Sequence, residues 1–330
     1  MLPAVAALAT SLAACAGEGG GRAGGGQTGG EVTVRAMNDP EDVSIAVLMY
    51  LPQSIRVNQG TTVAWALTGP ERHSVTFFPA GETLPAAGSD PSLLEPRPAD
   101  AGVHDPRAWI SSGLAPSGPE PPTPFRLRFD TTGKWTYYCV LHPGMLGTVD
   151  VVATGARADT PAEVLSRGDR ELQQWVAEGR EAKRRLTSGP PVSTRNADGS
   201  ITWTVEMGAS TGHTSVLAFA PVAADIRPGD RITFVNNSHY PHTATFPGLQ
   251  ELPDGPPSPD ATLPRPGPSP VTLNPTDLFA TGTVPPDAPG GGGLPAVARS
   301  FTFVLPESGD YPYVCLYHHA SAMAGLIRVA

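Results

Sequence analysis

Gly133-Lys-Trp-Thr-Tyr-Tyr-Cys139-Val-Leu-His142-Pro-Gly-Met145 and, downstream, Gly309-Asp-Tyr-Pro-Tyr-Val-Cys315-Leu-Tyr-His318-His-Ala-Ser-Ala-Met323 share one pattern. In each, a glycine opens an aromatic-rich run with strand character, and a cysteine, a histidine and a methionine follow on a short loop. Thiolate and thioether are soft ligands that favour copper over hard cations, and imidazole serves either oxidation state of copper. A trigonal site of two His and one Cys with a weak axial Met needs a second imidazole. Each half has one upstream, His73 in Arg72-His-Ser-Val-Thr-Phe77 and His242 in Pro241-His-Thr-Ala-Thr-Phe246, both leading into alternating strand residues. The expected copper ligands are therefore His73, Cys139, His142 and Met145 at one site, and His242, Cys315, His318 and Met323 at the other.

Competing metals fit this pattern poorly. A structural zinc site wants four strong ligands, usually with paired Cys or paired His at fixed spacing, and neither half holds a second Cys beside its loop. The same shortage excludes a dinuclear, thiolate-bridged copper centre. Two of the three cysteines are thus assigned, which leaves no disulfide framework.

Outside the loops the duplication continues. Ser54-Ile-Arg-Val-Asn-Gln-Gly60-Thr-Thr-Val-Ala-Trp65 precedes the first upstream histidine, and Asp225-Ile-Arg-Pro-Gly229-Asp-Arg-Ile-Thr-Phe234 the second, each reading as strand, glycine turn and strand. Asp105-Pro-Arg-Ala-Trp-Ile-Ser-Ser-Gly113 corresponds to Asn274-Pro-Thr-Asp-Leu-Phe-Ala-Thr-Gly282, and both methionines open a Met-x-Gly followed by alternating apolar residues. The repeat is a whole domain rather than a solenoid module. The chain is long enough for two domains that each bury a core, and its 38 prolines and 37 glycines with 16% charged residues suit short strands joined by turn-rich loops. The expected fold class is all-β, two tandem domains joined by a helical linker. Part of each Pro-rich insert, Pro79 to Pro124 and Pro247 to Pro295, is expected to be ordered against its domain because the Asp-Pro or Asn-Pro block recurs in both.

Between the halves, Thr160-Pro161-Ala-Glu163 is a capping box with Pro at the first helical position. Val164, Leu165, Leu172, Trp175, Val176 and Leu186 recur at roughly helical spacing and form one apolar stripe that docks the linker on a domain. Gly168 and Gly179, each costing about 1 kcal/mol relative to Ala, mark expected interruptions of the helix.

At the N-terminus, a short apolar run from Leu2 ends in Leu12-Ala-Ala-Cys15 and a Gly-rich tract follows to Gly30. It is too short to span a bilayer and reads as a signal segment whose Cys15 resembles the lipidation site of bacterial lipoproteins. No basic residue precedes it, so the expectation is that the true start lies upstream of Met1 or is misassigned. The expected division is 1–30 signal and tether, 31–153 first domain, 154–191 linker and 192–330 second domain. The expected location is the outer face of the bacterial cytoplasmic membrane, in the periplasm or at the cell surface, with a lipid anchor at Cys15 as the membrane contact. With 22 basic and 31 acidic residues, a net charge of −9 leaves no surface of the kind that grips phosphate backbones, so nucleic acid is not an expected partner. Redox proteins are.

Taken together, the loops and their upstream histidines resemble the cupredoxin family over about 31 to 153 and 192 to 330. The first loop has the amicyanin spacing and the second the plastocyanin spacing. The resemblance implies Greek-key β-sandwiches with copper near one end, Cys as the short equatorial ligand, Met as the axial one, and electrons passed at the surface by His142 and His318. Plastocyanin-like proteins often carry Asn after the upstream histidine, supporting the Cys sulfur. Here Ser74 and Thr243 stand there, so that support is not carried over.

The function expected is electron transfer by two type 1 coppers cycling between Cu(II) and Cu(I), without catalysis. Two-domain copper nitrite reductases need a histidine directly beside the blue-copper Cys to reach a catalytic copper, but Cys139 lies between Tyr138 and Val140, and Cys315 between Val314 and Leu316. A copper-delivery protein is the other reading of the same ligands. No pair among His104, His213, His239 and His319 shows ligand spacing, and they are expected to be surface or internally satisfied residues. His319 competes with His318, and His239 with His242, but the C-x2-H spacing with the Met-x-Gly register and the Thr-x-Thr-Phe continuation favour His318 and His242.

Overall fold

The computed structural model describes residues 30–79, 81–82, 91–97, 102–115, 122–221, 223–248, 269–284 and 300–330. The signal and tether reading and Cys15 lie outside these residues, as do parts of both Pro-rich inserts. The described chain is mostly β-sheet with one long helix.

Two sheets come from the first half. Glu31–Ala36 runs parallel to Thr61–Leu67, which pairs antiparallel with Phe125–Phe129. The facing sheet has Ser54–Asn58 parallel to Leu146–Val152, then Gly133–Tyr138, Thr76–Phe77, Ile110–Ser112 and Pro96–Arg97 in order. Alternation decides which face is buried: Ile55 and Val57 point inward while Ser54 and Arg56 are exposed, and Leu127 and Phe129 point inward between Arg126 and Arg128. Trp65 anchors this core, edge-on to Tyr137 at 5.2 Å and to Phe77 at 5.9 Å. Cys139 and Met145 belong to the same buried cluster.

The second half repeats these pairings. Ile201–Ser210 runs parallel to Arg231–Val235, which pairs antiparallel with Ser300–Val304. Ala223–Ile226 runs parallel to Ala324–Val329, which pairs antiparallel with Gly309–Val314. The recurring insert block has a structural counterpart too: Ile110–Ser112 pairs with Thr76–Phe77, and Phe279–Ala280 pairs with Thr245–Phe246. Each is a short strand laid beside the one that follows the upstream histidine.

The Met-x-Gly motif is explained by these ladders. Gly147 lies opposite Tyr137 and Gly325 opposite Tyr313, and a Cβ on either glycine would run into the facing tyrosine ring. Each ring needs that space to lie flat over the strand on its way into the core.

The halves are not separated cleanly at residue 153. Ile45–Val47 leaves the first half and adds an edge strand to the second, pairing antiparallel with Thr214–Ala220. All three of its residues are buried. Only the neighbouring edge of the other sheet shows where this apolar run pairs.

The helix α1 (Pro161–Ser188, 28 residues) starts at the expected capping box, with Thr160 accepting from Glu163 N–H and Glu163 accepting from Thr160 N–H. It is unbroken. Gly168 and Gly179 are its contact points with the sheets rather than breaks: a Cβ on Gly168 would lie 2.9 Å from Leu51 C and O, and one on Gly179 would collide with Ile45 Cγ2. Val164, Gly168, Val176, Gly179 and Ala182 are the buried residues, and Leu165, expected in the stripe, is 51% exposed. Around the apolar contact, Arg180 donates to the fully buried Asp39 at 2.7 and 2.9 Å, and Lys183 donates to Asp42 at 2.6 Å. Those ion pairs clamp the helix to the segment that carries the crossing strand. No helix among the described residues is long and apolar enough to cross a membrane.

Candidate metal centres

Each Cys loop closes by the same backbone bond. Cys139 N–H donates to Met145 O, and Cys315 N–H to Met323 O, both at 3.0 Å. In the first loop Met145 N–H returns to His142 O at 3.0 Å, so the residues between His and Met form one tight turn. The two additional residues of the second loop are absorbed by a short 3-10 turn, His319–Ser321, with Ser321 N–H donating to His318 O at 3.0 Å. Ala322 takes a left-handed φ of 60° to bring the chain back to the strand. Loop length therefore changes the path of the chain and leaves the Cys-to-Met closure intact.

The donor atoms converge. In the first half, Cys139 Sγ lies 3.4 Å from His142 Nδ1 and 4.0 Å from His73 Nδ1, and the two Nδ1 atoms are 3.2 Å apart. In the second, Cys315 Sγ lies 3.4 Å from His318 Nδ1 and 3.7 Å from His242 Nδ1, with the Nδ1 atoms 3.1 Å apart. Ordinary metal–nitrogen and metal–sulfur bonds in a trigonal plane would hold nitrogens roughly 3.5 Å apart and nitrogen and sulfur roughly 3.7 Å apart. Both groups fit one cation held by three donors. All six of these residues are buried, and Met145 and Met323 are buried in the same clusters as their cysteines.

Local hydrogen bonds position the donors. Ser74 Oγ accepts from Val140 N–H at 3.0 Å and Thr243 Oγ1 accepts from Leu316 N–H at 2.9 Å. In both halves, then, the residue after the upstream histidine holds the residue after the cysteine. At the second site Thr243 N–H also points at Cys315 Sγ, 3.4 Å away, and Ser238 Oγ lies 2.9 Å from His242 Nε2, fixing that ring. Burial pushes the Cys139 thiol up, but the imidazoles of His142 and His73 beside it more than offset this and hold it well below its ordinary range. A site whose thiol ionises readily is prepared for a soft cation.

The loop histidines do not reach the surface, contrary to what the family resemblance implies. His142 is 3% and His318 7% exposed. The physical reason is that the ends of the two halves that carry the donor groups meet. Tyr240 packs its ring edge-on against His142 at 5.4 Å, and the Glu71 carboxylate lies between the two loop histidines, 3.1 Å from His142 Nε2 and 3.9 Å from His318 Nε2. Burial pushes the Glu71 carboxyl up, while the hydrogen bond with His142 and the nearby His318 hold it below the usual carboxylate range. Glu71 is absent from the sequence reading. Its one signal is position, since Glu71 and Tyr240 each stand two residues before the upstream ligand of their half.

His104, His213 and His239 join neither donor group among the described residues. His104 is buried in an aromatic box, 4.8 Å from Phe77 and Phe129 and 5.0 Å from Trp135. His213 stacks on Trp175 of the helix at 3.8 Å, with Nδ1 3.5 Å from Glu178. His239 is exposed and His319 lies in the 3-10 turn.

No protein-family model matches the chain. Among curated proteins it is similar to plastocyanin from Sambucus nigra, 28% identical over 118 residues, which is 36% of this chain and 93% of that protein. Plastocyanin from Mercurialis perennis is 29% identical over 113 residues, 34% of this chain and 88% of that protein. Among solved structures, a fern plastocyanin mutant is 27% identical over 37% of this chain and all of its own length, with a TM-score of 0.24. These similarities to plastocyanins support the resemblance to the cupredoxin family.

Proposed function

We propose that this protein is an extracytoplasmic electron carrier built of two tandem cupredoxin domains, 31–153 and 192–330, joined by the helical segment 154–191 and anchored to the membrane by lipid at Cys15. Each domain holds one mononuclear type 1 copper, by His73, Cys139, His142 and Met145 in the first and His242, Cys315, His318 and Met323 in the second. Copper supplies one-electron chemistry, cycling between Cu(II) and Cu(I). The protein supplies fixed donors whose positions suit both states, so that little rearranges when an electron arrives.

The observation that carries this reading is the repeated convergence of one thiolate and two Nδ1 atoms in buried pockets. Copper delivery is disfavoured by the same burial, because passing a metal on requires a ligand that an acceptor can reach. Partners are redox proteins that dock elsewhere than on the loop histidines.

Copper counting with visible and EPR spectra on the intact chain tests the proposal. Two coppers with intense thiolate charge-transfer bands are expected, and Cys139→Ser and Cys315→Ser should each remove one site. A copper-loaded but colourless protein would reject it, and nitrite turnover with a third copper would replace it with an enzyme.

A further inference from the structure

A buried carboxylate needs a reason, since taking a charge out of water costs several kcal/mol unless partners compensate. Glu71 has a side chain only 9% exposed, and its two oxygens face the ligands of two different metal groups. Oε1 lies 3.1 Å from His142 Nε2, and Oε2 lies 3.9 Å from His318 Nε2. Both imidazoles turn Nδ1 toward their own cysteine, at 3.4 Å in each site, so the nitrogen facing the carboxylate is the one on the far side of the ring. A single chain of groups thus runs from one donor set to the other: imidazole, carboxylate, imidazole. Its first link is a hydrogen bond at 3.1 Å and its second a 3.9 Å approach without a hydrogen bond. The matching position of the second half holds Tyr240, whose ring covers His142, so one carboxylate serves both sites.

We infer that Glu71 joins the two metal centres into one two-centre unit, in which an electron received at either site passes inside the protein to the other through His142, Glu71 and His318. This rests on the electron-carrier reading above. The step moves one electron: the giving site goes from Cu(I) to Cu(II), the receiving site from Cu(II) to Cu(I), and no bond forms or breaks and no proton leaves Glu71. Glu71 is a positioning and coupling residue and not a metal ligand.

The test uses the full copper-loaded chain, with Glu71→Gln keeping the shape of the side chain and Glu71→Leu removing the link. One reducing equivalent per chain is delivered by pulse radiolysis, and redistribution between the two charge-transfer bands is followed. The wild type should redistribute at a rate independent of protein concentration, and Glu71→Leu should slow this about 10- to 100-fold with both bands retained. In Glu71→Gln the midpoint potentials of both sites should rise, because a negative charge shared by two sites is removed. In copper-free protein the same substitution should shift the imidazole 15N resonances of both His142 and His318. An unchanged rate in Glu71→Leu with both coppers present, a rate that scales with protein concentration, or shifts confined to the His142 site would overturn the inference. A wild type holding fewer than two coppers would instead overturn the electron-carrier reading, while the 15N result would still report on the bridge.

Discussion

Thr243 Oγ1 accepts the backbone N–H of Leu316 at 2.9 Å, tying the segment that carries one imidazole to the loop that carries the thiolate. Ser74 and Val140 make the same tie at 3.0 Å in the first half. A hydroxyl thereby holds the two ligand segments together where the family resemblance leads to an amide. Thr243→Val preserves shape and removes this one hydrogen bond, at a cost of about 0.5–1.5 kcal/mol. Thermal unfolding of the copper-free protein should register the loss. The charge-transfer band of the second site should shift while that of the first stays in place.

Gly325 lies under the Tyr313 ring, and Gly147 lies under that of Tyr137. A methyl group at either position must displace a ring that is about 1% exposed or less and packed in the core. Gly325→Ala and Gly147→Ala are each expected to destabilise by about 1–3 kcal/mol, the ordinary penalty of overpacking. Urea unfolding monitored by tyrosine and tryptophan fluorescence measures it.

Helix propensity and packing make opposite predictions for Gly168. Propensity alone says that Gly168→Ala gains about 1 kcal/mol in a helix interior. The structure puts Leu51 C and O 2.9 Å and Pro52 N 3.1 Å from the new Cβ, and backbone gives way less readily than a side chain. The net effect is expected to be a loss, seen as a lower melting temperature. A gain would mean that α1 rides further from the segment around Leu51 than described here.

His104 should make stability depend on pH below neutrality. Burial in the aromatic box disfavours its charged form and lowers its pKa from 6.5 to about 4, with Asp105 pulling weakly the other way. The unfolded chain takes up the proton first, so stability is full above pH 6.5, falls as pH drops toward about 4, and changes no further from this group below that. His104→Phe keeps a ring in the box and cannot be protonated. The difference in urea midpoint between about pH 7 and about pH 5 should shrink in this variant relative to the parent.

The legible part of this protein is the part written in short spans. The capping box at Thr160 and Glu163 forms as its spacing predicts, because both partners lie within one helical turn. The recurring strand pairs and the Asp-Pro and Asn-Pro blocks follow from local alternation and turn chemistry, duplicated. What local pattern could not reveal was the consequence of packing. Gly168 and Gly179 read as weak points, yet they are the places where the helix comes closest to Leu51 and Ile45. Leu165 carries the right residue type on the wrong side of α1. Nothing within the three residues Ile45–Val47 says which sheet has a free edge for them.

Sequence alone determined the donor chemistry: two sets of thiolate, imidazole and thioether with a second imidazole upstream, spaced so that a strand and a short loop bring each set together. Tertiary structure decided where those sets face. By seating the two donor-bearing ends against each other it buried His142 and His318 and placed Glu71 beside both histidines. Ligand type is a property of a residue and its near neighbours in the chain. Orientation of one site toward another depends on the edge strand Ile45–Val47, the clamp of Asp39 on Arg180 and the close approach of α1, contacts between residues far apart in the chain.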